Sequence, residues 1–343
     1  MTPAKRRRGR IAVAAVAVVL LSILAAGAWF WWQVDPLGGP GDPVTVSVEP
    51  GWGNAEIGDA LADAGVIGSS FAFRSYVKVT SAGPFQAGEY DLRAGLGVRD
   101  AISELEAGPR FAYEELALPP GLTIAEIAAR VGELSGRDAQ EFRALVDSGA
   151  VRSRFQPETM TSLEGLTWPD TYFVTEDQTD EELLRLLVDT FDEHAVAADL
   201  ADAAPAAGLS PYQAIVVASL IQTEAGVADD RPLISAVIRN RLADGMPLQI
   251  DASVIYARGG GEGPITRDEL QLASPYNTYV VTGLPPTPIA TVTEEALKAA
   301  TGPADVPYRY YVLIDPSGRH AFATTFEEHE RNVARARELG LLD

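Results

Sequence analysis

The apolar and polar positions divide the chain into stretches of different period. Ile11 to Trp32 is an unbroken run of 22 uncharged residues, IAVAAVAVVLLSILAAGAWFWW. At about 1.5 Å per helical residue it is long enough to cross a hydrocarbon core of about 30 Å. Val44-Thr45-Val46-Ser47-Val48 alternates with period two and predicts a strand. Tyr113 to Leu118 is a second strand-like stretch, and Phe85 to Leu92 is also extended. Ile57 and Leu61, then Ile124, Ile127, Ala128 and Val131, recur at helical spacing. Helical patterning continues to about Ser148, and a charged helix is predicted from about Thr179 to Asp199. Glu164 to Tyr172 is a Pro-broken aromatic segment, and Ala203-Ala204-Pro205-Ala206-Ala207-Gly208 reads as a boundary.

One repeat runs through this pattern. Pro50-Gly51 is followed by Ala55-Glu56-Ile57, and 70 residues later Pro120-Gly121 is followed by Ala125-Glu126-Ile127. Each copy sets a strand, a turn and a helix in succession. Small LysM-like sugar-binding modules are built this way, but so is a generic β-turn-α unit, and the repeat alone leaves both open. Two copies are too few for a solenoid.

From Leu209 onward the pattern predicts a compact α+β unit. Ser210 and Pro211 suit the cap and first position of a helix that ends near Gly226. Glu224 lies in its last turn, and residues three, four and seven earlier are Ile221, Leu220 and Val217. Glu224 therefore shares an apolar stripe. Desolvation and the negative helix end both favour its protonated form. A carboxylic acid held protonated near neutral pH can donate to a leaving oxygen, which glycosidic cleavage requires. An ion pair with an Arg is the more ordinary role for a helix-end Glu. Arg241, on the apolar face of the next helix, is the candidate partner; Asp230 is that helix's expected cap and Gly245 its end. Leu248-Gln249-Ile250-Asp251 alternates like a strand, with Gln249 and Asp251 on one face. Tyr276 and Asn277, in a turn-rich segment, suit stacking on and hydrogen bonding to a saccharide, or tight-turn chemistry.

Charge and composition narrow the classes. The net charge is −21, with 48 acidic and 27 basic residues. Lys5, Arg6, Arg7, Arg8 and Arg10 precede the first acid, Asp35. Basic residues on the N-terminal side alone predict a cytoplasmic tail, a retained single-pass anchor and an extracytoplasmic remainder. A cleaved signal peptide is the alternative, but the run is long for a signal core and Trp29, Trp31 and Trp32 close it. An exported part this acidic is unsuited to nucleic acid, whose phosphates it would repel. With no cysteine, thiol chemistry and Cys-based metal sites are excluded. His194, His320 and His329 have no metal-ligand spacing, and no nucleotide or serine-hydrolase motif is present. No cofactor or metal is expected.

Read together, Ala218 to Ala225, Asn240-Arg241-Leu242, Leu248 to Asp251, Ser274 to Tyr279 and Gly283 to Pro286 occur in the order of a known series. They resemble the YceG-like family of endolytic murein transglycosylases, as do Gln86 to Tyr90, Glu164 to Tyr172, and His320, Phe322, Thr324 and His329. Ala252, Thr287 and Val292 depart from that pattern; Ala252 stands where the family often has Pro. The resemblance implies a catalytic Glu224; Arg241, Gln249, Asp251, Tyr276 and Asn277, within the same motifs, are the candidate substrate-binding residues. It implies cleavage of nascent peptidoglycan strands to 1,6-anhydromuramyl ends at the cell membrane. Wall synthases are the partners the family suggests. A water-using muramidase with Asp251 as second carboxylate, or a non-catalytic glycan-binding scaffold, are the alternatives. The expected organisation is a tail (1–10), transmembrane helix (11–32), linker (33–43), LysM-like region (44–135), connecting helical region (136–205) and catalytic domain (206–343).

Overall fold

In the computed structural model, residues 3–36, 39, 41–261 and 263–342 are described. The chain is mixed α+β and divides into two compact units, one of residues 1–114 with 173–177, the other of 115–172 with 178–343.

The first unit opens with α1 (Pro3–Val34), which carries an apolar stretch, Val16–Val34, long enough to span a membrane. Trp29, Trp31 and Trp32 of its last turns are exposed, whereas Val34 is buried. The expected linker begins later than the composition suggests, because the helix runs on to Val34 and Asp35 pairs with Arg99. The rest of the expected linker includes residues 37, 38 and 40, which lie outside the described residues, as do residues 1 and 2 of the expected tail.

Then follow β1 (Pro43–Val48), α2 (Asn54–Asp63), α3 (Ser70–Thr80), β2 (Gly88–Arg93), α4 (Val98–Ala107) and β3 (Phe111–Ala112). The strands form an antiparallel sheet in the order β1-β2-β3, with Val46 opposite Tyr90. Period-two alternation sends Val46 and Val48 inward with Tyr90 and Leu92, against Ile57, Leu61, Phe73 and Leu105 from the helices.

The second unit contains most of β4 (Glu114–Ala117), then α5 (Ile124–Val131), α6 (Ala139–Ser148), the first two residues of β5 (Thr171–Val174) and α7 (Asp180–Ala197). The order strand, helix, helix, strand thus occurs twice, in β1 to β2 and in β4 to β5. The 70-residue offset of the sequence repeat aligns the starts of α2 and α5. Gly51 and Gly121 both sit at positive φ, 83° and 90°, where a side chain would be strained. Glu56 then bonds the Gly53 amide, and Glu126 the Thr123 amide, so both helix starts are closed by a glutamate at the third position.

The unit continues with α8 (Leu200–Ala206), α9 (Pro211–Glu224), α10 (Arg231–Ala243), α11 (Asp251–Ala257), α12 (Glu294–Thr301), β6 (Tyr310–Leu313), β7 (His320–Ala323) and α13 (Phe326–Glu338). Ser210 accepts from the Gln213 amide while Gln213 accepts from the Ser210 amide, and Pro211 takes the first turn, as the sequence predicts. The expected apolar stripe is broader than predicted: from Ala214 to Ile221 every residue is buried. α9 packs against α8, α10, α11 and α12, so it is a central helix rather than a surface one. Its last residue, Glu224, emerges where this burial ends.

Candidate active site

Glu224 borders a pocket of about 370 Å³, together with Arg241, Gln249, Asp251, Tyr279, Tyr311, His320 and His329. These residues come from the end of α9, the end of α10, the turn before α11 and its first residue, the loop after it, the β6–β7 hairpin and α13. Glu224 is half-buried. Burial pushes its carboxyl up to about 7; the Tyr311 hydroxyl opposes the shift, the charge of Asp251 adds to it, and the Ala252 amide opposes it. Tyr311 donates to Glu224 Oε2 at 2.9 Å. No ion pair joins Glu224 to Arg241, the ordinary alternative the sequence left open. The guanidinium turns instead to carbonyl oxygens, those of Arg309 (2.6 Å) and Leu248 (2.7 Å). It also lies 5.2 Å over the Tyr310 ring. Burial lowers its pKa from the ordinary value.

The hairpin reaches Glu224 because of two contacts. α9 ends near Gly226, as the sequence suggested, but not in a left-handed turn: Ala225 closes the helix in an extended conformation. Gly226 lies against Gly318, and a Cβ built on it would stand 2.6 Å from Gly318 Cα. Only two glycines let these backbones cross so closely. Asp230, expected as a helix cap, makes no capping bond; it is buried and accepts from the His320 amide (2.8 Å) and contacts His320 Nδ1 (2.9 Å). With β7 held there, the register Tyr311 opposite Phe322 carries Tyr311 to the end of α9.

Gln249 and Asp251 do line the pocket, but not on a strand. Gln249 has φ of 50°, a left-handed value that breaks any strand, and Asp251 begins α11. The Gln249 amide donates to Thr278 O (3.0 Å) and the Ile250 amide to Thr278 Oγ1 (2.9 Å). Asp251 accepts from the Tyr279 hydroxyl. Tyr276 and Asn277 are placed elsewhere. Asn277 is fully buried; its Nδ2 donates to Leu272 O (2.9 Å) and its Oδ1 accepts from the Tyr279 amide (3.0 Å), so it shapes the turn. Tyr276 packs at 4.8 Å on Tyr256 and contacts Thr287 Oγ1. Their neighbour Tyr279 faces the pocket instead. Sequence reasoning did not single out Tyr311 or Tyr279. The alternation Tyr310-Tyr311-Val312-Leu313 marks a strand but not which tyrosine meets a carboxyl 87 residues away. Among the described residues no group of three or more His, Asp or Glu is arranged to hold a metal ion.

A carboxyl poised near neutrality, bonded by a phenol and set in a cleft of mixed polar and apolar lining at the end of a buried helix, is chemically able to act as a general acid and base. The chain belongs to the YceG-like family, whose model matches residues 46–335. It is 30% identical to the endolytic murein transglycosylase of Bacillus subtilis strain 168, over 84% of this chain and 83% of that protein. It is 28% identical to the endolytic murein transglycosylase of Streptococcus pneumoniae strain D39, over 92% of this chain; it spans 64% of that relative's length. A crystal structure of a yceG-like protein from Listeria monocytogenes superposes with a TM-score of 0.59 at 28% identity, covering 84% of this chain and 98% of that one.

Proposed function

We propose that this chain is an endolytic peptidoglycan lytic transglycosylase whose acid/base residue is Glu224. The observation that carries this reading is the Glu224 carboxyl, raised to about 7 by burial on a pocket lined by hydroxyl, amide and guanidinium groups. The names of the Bacillus and Streptococcus relatives support the substrate class. Glu224 gives its proton to the glycosidic oxygen as the muramyl C1–O bond breaks and the glucosaminyl hydroxyl departs. The muramyl C6 hydroxyl then attacks C1, and its proton returns to the Glu224 carboxylate. The product carries a 1,6-anhydro bridge and no water is consumed. The Tyr311 hydroxyl and Ala252 amide stabilise the carboxylate between the two transfers. Arg241, Gln249 and Asp251 hold sugar hydroxyl and amide groups at the pocket wall. Tyr276 and Asn277 act through the shape of the loop that presents Tyr279.

Two further parts belong to the same reading. The apolar helix crosses the cell membrane with Lys5 to Arg10 on the cytoplasmic side, so the enzyme meets strands near the membrane, where wall synthases extend them. The two strand-helix-helix-strand segments serve as LysM-like glycan contacts along the strand. Cleavage near the membrane then limits strand length.

A second reading has one observation in its favour: Asp251 lines the same pocket and its charge acts on Glu224. A hydrolase would use it as the second carboxylate. Product mass decides. Uncrosslinked glycan strands treated with the full-length protein should yield anhydromuramyl ends and no water gain, and Glu224→Gln should yield none. Reducing ends with added water would favour hydrolysis instead. Strands that are bound but never cut would favour a scaffold.

A further inference from the structure

A second carboxyl of raised pKa, this one buried, lies outside the pocket. Glu164 is 3% exposed. Its Oε1 accepts from the Ile124 amide, the first residue of α5, at 2.9 Å; its Oε2 accepts from the Tyr256 hydroxyl on α11, also at 2.9 Å. Burial pushes it up to about 7, against the two hydrogen bonds. A helix start needs no such group, since α5 already has the reciprocal Thr123–Glu126 cap and an exposed Asn or Ser closes helices at less desolvation. What a carboxyl does here that a simple cap does not is reach two elements at once.

Its backbone is fixed. Gly165 has φ of 70° and lies so close to Pro288 and Ala290 that a Cβ would stand 2.4 Å from the Pro288 side chain. Tyr256 is held on its other side by the Tyr276 ring, whose hydroxyl meets Thr287. The segment 287–290 therefore braces both partners of the Glu164–Tyr256 bond. α11 has seven residues, with Tyr256 near one end and Asp251 and Ala252 at the other. Asp251 lines the pocket, and the Ala252 amide lowers the Glu224 pKa. A helix this short moves as one body, so the place of Tyr256 sets the place of Asp251 and Ala252.

We infer that Glu164 is a positioning residue for Glu224, acting through its hydrogen bond to Tyr256 and the seven-residue helix that Tyr256 shares with Asp251. The inference rests on the reading of Glu224 as the acid/base. Misplacement of a catalytic constellation by about 1 Å can slow a reaction by as much as 10²-fold without weakening binding. The expected signature is thus a fall in kcat with KM preserved.

The test uses the full-length protein in detergent with uncrosslinked glycan strands, and rates normalised to folded protein. Tyr256→Phe and Glu164→Ala should each lower kcat roughly tenfold or more and change KM by less than about twofold. The double variant should be no slower than Glu164→Ala alone, since both remove one link. Glu164→Gln keeps an acceptor for Ile124 and a polar partner for Tyr256, and should recover most of the loss. Wild-type kcat in both single variants overturns the inference. So does a well-folded Glu164→Gln as slow as Glu164→Ala, because the carboxyl would then act in its own right. Glu224→Gln in the same assay separates the two levels. If it is active, the catalytic reading fails; if it is inactive while Glu164→Ala and Tyr256→Phe are fully active, only the positioning role fails.

Discussion

Tyr311 donates its hydroxyl proton to Glu224 Oε2 across 2.9 Å, and this bond favours the carboxylate over the acid. Its removal has a definite sign. Tyr311→Phe leaves burial and the Asp251 charge unopposed by the phenol, so the Glu224 pKa rises further. The alkaline limb of the pH–rate profile, set by loss of the proton Glu224 must donate, moves to higher pH. The maximal rate falls roughly 10- to 100-fold, because the carboxylate left after the first transfer loses a donor. An unmoved limb would show that the phenol does not act on Glu224.

Ala252 offers a gentler change of the same kind. Its amide also lowers the Glu224 pKa, and a proline there has no N–H to give. The site is the second residue of α11, where proline fits a helix start. Ala252→Pro should fold normally and move the alkaline limb upward, less than Tyr311→Phe does. A circular dichroism melt beside the pH profile separates this from a folding defect; a limb shifted downward would contradict it.

Stability should carry a mark of both raised carboxyls. The folded-state pKa values of Glu164 and Glu224 are raised from the ordinary 4.5 to about 7. Between those limits the folded chain keeps protons that the unfolded chain has lost. Stability from these groups is therefore full below about pH 4.5 and falls as pH rises through 7. Glu164→Gln and Glu224→Gln remove the penalty. Each variant should exceed the parent in denaturant midpoint at pH 8, by on the order of 1–3 kcal/mol, and match it near pH 4. Variants less stable than the parent at pH 8 would mean that the carboxylates are better satisfied than their burial implies.

The place of Glu224 at the end of an apolar stripe was legible because its surroundings are local. Ser210 and Pro211 fix the helical frame, and Ile221, Leu220 and Val217 then set its face. The start of α11 was misread because period-two alternation in Leu248 to Asp251 matches a strand, while the left-handed turn at Gln249 leaves no hydrophobic signature. Asp230 looked like a cap by spacing alone; its real partner, His320, is 90 residues away. Tyr311, Tyr256 and Glu164 were illegible for the same reason. Their bonds span 87 and 92 residues, and only packing decides such contacts. The strand, turn and first helix of each copy were visible as a repeat, since the turns and caps depend on Pro-Gly and Glu at fixed offsets; the second helix and closing strand were not.

The crossing of Gly226 and Gly318 yields the last prediction. A methyl group on Gly226 would meet Gly318 Cα and O at 2.6 Å, and these are backbone atoms that cannot rotate away. The β6–β7 hairpin would have to lift, taking Tyr311 from Glu224 and straining the Asp230–His320 contact. Overpacking of this kind costs typically about 1–3 kcal/mol. Gly245 gives the comparison. It has φ of 66° but open space around it, so Gly245→Ala meets only the backbone penalty of a left-handed residue, about 1 kcal/mol. Both variants should therefore lose some thermal stability, but only Gly226→Ala should lose activity out of proportion. Its remaining folded protein should behave like Tyr311→Phe, with the alkaline limb displaced to higher pH. Should Gly226→Ala retain wild-type kcat and pH profile when folded, the hairpin does not depend on that crossing to bring Tyr311 to Glu224.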